Sequence, residues 1–150
     1  MKNLILILLL SFCYACSLDN KVYPLNFESI TKNGDNYKLI VSTETNLDEI
    51  KNKHHFTQQE FIATIKNRDF NQQGVLLIGS FETDKQQKKG DLYFYEVDLK
   101  ITNQEKKIDL THQLTAKDTV NGFLQLSYDM GRTYPTKSID IAAEKFLNIK

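Results

Sequence analysis

The stretch Asp91–Ile101 reads DLYFYEVDLKI, and its alternation decides the fold class. Tyr93, Tyr95, Val97, Leu99 and Ile101 fall on one side, with Glu96, Asp98 and Lys100 on the other. Successive side chains of an extended chain point to opposite faces, so this period of two predicts a strand with one buried and one solvated face. Such one-sided strands belong to antiparallel sheets, whose second face meets water.

Working outward, the neighbouring segments supply partners. Val75–Phe81 is nearly continuously apolar and suits a central strand covered on both faces, with Gly79 marking a bulge or a close backbone approach. Lys85–Asp91 is polar, ends near Gly90 and reads as a surface turn. Asn103–Lys106 turns the chain toward Ile108 and Leu110, and a final strand is expected over Val120–Tyr128. Upstream, Tyr23, Leu25 and Phe27 alternate, as do Tyr37, Leu39 and Val41, with Asn33-Gly34 between them. Asn-Gly tolerates the positive φ of a type I′ turn and predicts a hairpin, lengthened if Asp35 and Asn36 join the loop. Pro24 makes the first strand an edge or gives it an irregular start.

Two helices are expected to pack on the sheet. Thr57 and Glu60 have capping-box spacing, Phe56 and Phe61 form a hydrophobic staple, and Phe61, Ile62 and Ile65 supply a buried stripe fading near Asn67–Asp69. Ser138 is placed to cap a closing helix whose Ile139, Ala142, Ala143 and Phe146 follow helical spacing. Asn46–Lys53 is a weaker third candidate, with Leu47 and Ile50 facing inward. The resulting expectation is an α+β fold, an antiparallel sheet of about five strands with two helices in the order β-β-α-β-β-β-α. Residues 22–150 form its single domain, since no repeat, low-complexity block or Pro/Gly-rich linker divides them.

The first fifteen residues are different in kind. Lys2 gives a positive start, Leu4–Leu10 is unbroken apolar sequence continued by Phe12, and Ala15 supplies a small residue before Cys16. Twelve residues, Leu4–Ala15, are too few for a transmembrane helix, which needs about twenty. The Cys13-Tyr14-Ala15-Cys16 stretch resembles the lipobox of bacterial lipoproteins. That resemblance implies removal of residues 1–15, a diacylglyceryl group on Cys16, and residues 16–21 as anchor and short tether. Cys13 is the weaker lipid acceptor, because bulky Phe12 would occupy the cleavage position. The resemblance also implies a cell-envelope location, with Ser17 after the cysteine matching the class sorted to the periplasmic face of the outer membrane. An ordinary secretory signal, with Ala15 read by a general signal peptidase, is the competing reading.

Both cysteines lie in or at the end of this segment, so the body retains no thiol for a disulfide, a thiolate metal site or a nucleophile. Loss of Lys2 leaves 18 basic side chains against 19 acidic. A near-neutral body argues against a nucleic-acid partner, which demands a basic stripe. No metal and no cofactor are expected. His54-His55 is adjacent rather than convergent and His112 stands alone, so both read as structural or solvated histidines. Glu96 and Asp98, about 7 Å apart along one strand face, have a spacing open to paired-carboxylate chemistry, but a solvent-facing charge row with Lys100 is preferred. Ser80 lacks the second glycine of a nucleophile elbow. The Tyr128–Pro135 loop combines two tyrosines, Arg132 and Gly131. Arg132, Tyr134 and Asp129 are therefore the candidate partner-binding residues, weighed against a connector whose tyrosines pack inward. Lys85, Lys88 and Lys89 read as a solvated turn, drawn to anionic lipid if they face a membrane. The expected function is non-enzymatic: a membrane-anchored envelope lipoprotein that binds or assembles with another envelope protein, or alternatively a periplasmic immunity or inhibitor protein that neutralises a toxin or enzyme.

Overall fold

The computed structural model of the chain describes residues 22–34, 36–66, 77–100, 102–103, 108–109, 114–128, 131 and 133–148. Residues 1–21, on which the expected signal and Cys16 fall, and Arg68, Ile101, His112, Asp129 and Arg132 lie outside the described residues. The described chain is mostly β: a nine-stranded antiparallel sheet curled into a half-barrel, with two short helices.

The hairpin of β1 (Asn26–Asn33) and β2 (Asn36–Thr43) leads in. Its last pair is Asn33 with Asn36, so the chain turns after Asn33, one residue later than the Asn33-Gly34 reading, and Gly34 takes the positive φ of 60°. Helix α1 (Leu47–His54) follows, capped by Asn46, whose Oδ1 accepts from the Glu49 N–H at 3.2 Å. Next come β3 (Gln58–Ile65), β4 (Leu77–Phe81), a 3-10 turn (Thr83–Lys85) and β5 (Gln87–Lys89). The alternating segment forms β6 (Leu92–Leu99). A separate two-residue ladder joins β7 (Thr102–Asn103) to β8 (Ile108–Asp109). The chain then runs through β9 (Thr119–Ser127), β10 (Thr133–Pro135), β11 (Ile139–Ala142) and the single-turn α2 (Glu144–Leu147).

Across the sheet the order is β1-β2-β6-β4-β3-β9-β10, with β11 on the same side of β9 as a continuation of β10, and β5 on β6. Between β10 and β11, Thr136 bridges to β9 with both its backbone and its side chain. Its N–H donates to Leu124 O at 2.9 Å, and its Oγ1 accepts from the Leu124 N–H at 3.1 Å.

The expected α+β class with about five strands is corrected to mostly β, chiefly because two expected helices are strands. Gln58–Ile65 is β3, paired with β4 on one side and β9 on the other. The Thr57 N–H, which a capping box would have bonded to Glu60, instead donates to Ser127 O at 3.0 Å. Sheet pairing satisfies backbone groups on both flanks while Phe61, Ala63 and Ile65 are buried on one face, which a helix here would not match. Likewise Ile139–Ala142 pairs with the edge of β9, leaving only Glu144–Leu147 helical. The weaker candidate at Asn46–Lys53 is a true helix.

The concave face is the core. Leu39, Val41, Phe61, Ala63, Tyr95, Val97, Leu99, Val120, Leu124 and Leu126 are all at most 1% exposed. Gly79 makes the close approach expected of it, since a Cβ there would lie 2.7 Å from Val97 Cγ1. The two sheet edges meet without a full ladder. The Lys137 N–H donates to Tyr23 O at 2.8 Å, and α2 touches both β1 and β11, with Phe146 set edge-on to Tyr37 at 5.4 Å between ring centroids.

Candidate functional site

With the concave face filled, the convex face carries the chemistry. Period-two alternation on β6 sends Phe94, Glu96 and Asp98 outward. The register aligns Ile40 of β2 beside Glu96 and Ser80 of β4 beside Asp98. A bulge between Phe27 and Ser29 inserts Glu28 into β1, and the Ser42 hydroxyl donates to the Glu28 carboxylate. The 3-10 turn and β5 rise along the opposite side, contributing Glu82, Lys85, Gln87 and Lys89. Together these residues line an open groove of about 660 Å³.

The turn that forms this wall is pinned from inside. The Thr83 N–H donates to Gln59 Oε1 at 2.7 Å, and the Thr83 hydroxyl donates to Asp48 Oδ1 of α1 at 2.8 Å. The fully buried Tyr95 hydroxyl donates to Gln86 Oε1 at 2.7 Å and accepts from the Leu47 N–H at 2.8 Å. Gln86 Nε2 in turn donates to Asn46 Oδ1 at 3.0 Å. Burial pushes the Tyr95 hydroxyl well above the ordinary tyrosine range, so it stays protonated and keeps donating. One helix N-terminus, one turn and one strand are thereby locked to a single phenol.

Charges on the groove are partly matched. Lys38 pairs with Glu96 at 2.6 Å and Lys85 with Glu82 at 2.7 Å. Each carboxylate, by hydrogen bond and then by charge, raises the pKa of its lysine. Lys89 lies over the Phe94 ring, 5.2 Å from its centroid. A smaller groove of about 520 Å³ continues past Ser80 and Asp98 toward Glu60 and Lys100. Among the described residues there is no group of three or more His, Cys, Asp or Glu side chains able to hold a metal ion. What the groove offers is mixed ion pairing, hydrogen bonding and apolar contact, which is the chemistry of recognition.

Of the residues singled out in the sequence, Ser80, Lys85, Lys89, Glu96 and Asp98 meet at the groove, whereas Tyr134, His54 and His55 lie elsewhere. Tyr134 is 8% exposed in the core, its ring stacked on Tyr23 at 6.3 Å and near Phe56 at 6.5 Å. His54 ends α1 against Phe56, and His55 terminates it with a left-handed φ of 58°. Glu96 and Asp98 take the solvent-facing positions expected of them. Missed in the sequence were Glu28, which a bulge re-aims, and the wall formed by the turn and β5. Only the outward phase of β6, shared with Ile40 and Ser80 by register, signalled this face.

No model of a known protein family, no curated protein and no solved structure matches the chain. Among the described residues, no helix is long and apolar enough to cross a membrane.

Proposed function

We propose that the chain is a lipid-anchored protein of the bacterial envelope that acts by binding another envelope protein, and that the convex groove is its contact surface. The observation that carries this reading is the contrast between the two sheet faces. The concave face is spent on packing, whereas the convex face keeps an open groove in which Asp98 and Lys89 stand exposed among apolar Ile40 and Phe94. Interfaces of this kind combine aromatic anchors with a polar rim. The anchor rests on the lipobox-like Cys13–Cys16 stretch, and Cys16 is its acceptor.

Two measurements test the reading. Palmitate incorporation should vanish in Cys16→Ala and persist in Cys13→Ala; labelling that survives the Cys16 change removes the anchor. Capture of partners from detergent-solubilised envelope should be lost in Asp98→Lys combined with Ser80→Lys, while the melting temperature stays within a degree or two, as for exposed substitutions generally. Undiminished capture by that variant would move the surface elsewhere, first to the Asp129–Tyr134 loop. If the captured protein is a secreted toxin or hydrolase, the immunity or inhibitor reading replaces assembly.

A further inference from the structure

The register places where the chain joins the sheet and where the basic hairpin sits at one end of the molecule. Asn26 pairs with Ser42, Ser42 with Phe94 and Phe94 with Gln87, a single cross-strand row through β1, β2, β6 and β5. Three inter-strand steps of about 4.8 Å put the start of β1 roughly 14 Å from β5. Beyond that row, at the same end, the β5–β6 hairpin projects through Lys88, Lys89 and the Gly90-Asp91 turn, whose Gly90 takes a φ of 60°. Lys88 and Lys89 are exposed, and each lies 5.2 Å over an aromatic ring, Tyr93 and Phe94 respectively. Val22, where the described chain begins, is an exposed large apolar residue at 49%.

We infer that the tip of the β5–β6 hairpin is a contact for anionic lipid headgroups. The inference rests on the lipid-anchor reading. From Cys16, a tether through Lys21 extends about 20 Å at most, so the end bearing Val22 stays beside the bilayer. Exposed lysines whose stems are held over the Tyr93 and Phe94 rings present their ammonium groups outward, which suits attraction to anionic headgroups at that position. The opposite end, carrying Lys32 near the β1–β2 turn and Lys145 on α2, points away. The groove then opens sideways from the membrane, within reach of a neighbouring envelope protein.

The experiment uses the lipidated full chain in phosphatidylglycerol-containing vesicles, in phosphatidylcholine vesicles and in detergent, with amine acetylation read residue by residue. Palmitate labelling is run on the same sample. In phosphatidylglycerol, acetylation of Lys88 and Lys89 should fall several-fold relative to detergent while Lys32 and Lys145 are unchanged, and phosphatidylcholine should protect less. Lys88→Glu combined with Lys89→Glu should abolish the difference between lipids at Lys51 and Lys53 of α1, which follows β2 at that same end. With the anchor shown by palmitate, equal acetylation at both ends, or equal protection in the two lipids, overturns the headgroup contact and leaves the anchor standing. Absence of palmitate instead fails the anchor reading, and the contact falls with it.

Discussion

Tyr95 shows how one side chain ties three elements together and what that costs to remove. Tyr95→Phe keeps the ring in the core but leaves the Leu47 N–H and the Gln86 carbonyl without their partner, a loss of about 1–3 kcal/mol. The effect carries a pH signature. The folded-state pKa of this hydroxyl lies above its unfolded value of about 10, so its contribution is complete below pH ~10 and declines as alkali lets the unfolded tyrosine ionise. Denaturant titrations should therefore show the wild-type advantage over Tyr95→Phe narrowing above pH ~10; a gap that widens there would contradict the buried, protonated phenol. Gly122 is the steric counterpart. A Cβ there would lie 2.3 Å from Phe61 Cζ and 3.0 Å from Ala63 Cβ, because the Phe61 ring occupies the space its hydrogen leaves. Gly122→Ala should cost about 1–3 kcal/mol by overpacking. Phe61→Leu in the same chain should recover part of that loss in thermal melts, giving a coupling that additive single changes lack.

At the scale of elements, β3 decides between two readings of one segment. If Thr57 and Glu60 formed a capping box, changing either to Ala would cost about 1 kcal/mol. In the sheet neither has that role, so both variants should melt within about 0.5 kcal/mol of wild type. Val97→Asp, in contrast, places an unpaired carboxylate on the fully buried face of β6 and should unfold the protein outright or nearly so. Cap-sized losses at both Thr57 and Glu60 would argue for a helix in solution. The ambiguity was physical. Phe61, Ile62 and Ile65 satisfy a helical stripe, while Phe61, Ala63 and Ile65 satisfy a period of two, and Ala63 is too small to decide. The outcome depends on β4 and β9, which flank the segment in space and come later in the chain. Ile139–Ala142 was lost to the same cause, since only the free edge of β9 makes it a strand. The longer alternations in β2, β6 and β9 needed no partner to be legible, because each carries its own inside and outside. The convex face of β6 was legible in this way too. The groove's second wall was not, since a polar turn gives no periodic signal of where it folds back.

For the whole molecule, the decisive feature is the seam where the curled sheet fails to close. Open edges of a sheet are templates for pairing with another chain, and proteins shield them with loops, helices or charge. Here residues 22–25 and α2 supply the shield: Lys137 bonds to Tyr23 across the gap, and Phe146, 2% exposed, presses on Tyr37. A single-turn helix has almost no stability of its own, so α2 is held by this packing and by its backbone bond from the Ala143 N–H to Asp118 O. Phe146→Ala should therefore do two things. It should destabilise the fold by about 3–5 kcal/mol if the site stays closed, or by less if α2 detaches as a local unit. Where α2 detaches, β1 and β11 are uncovered, and self-association should rise well below the melting temperature, visible by light scattering at increasing protein concentration. Lys137→Pro removes the N–H donor at the seam and, by fixing φ and restricting Thr136 beside it, also loosens the Thr136–Leu124 bonds, so it should give the same concentration dependence. If Phe146→Ala lowers the melting temperature yet remains monomeric at every concentration, the edges are guarded by something other than α2.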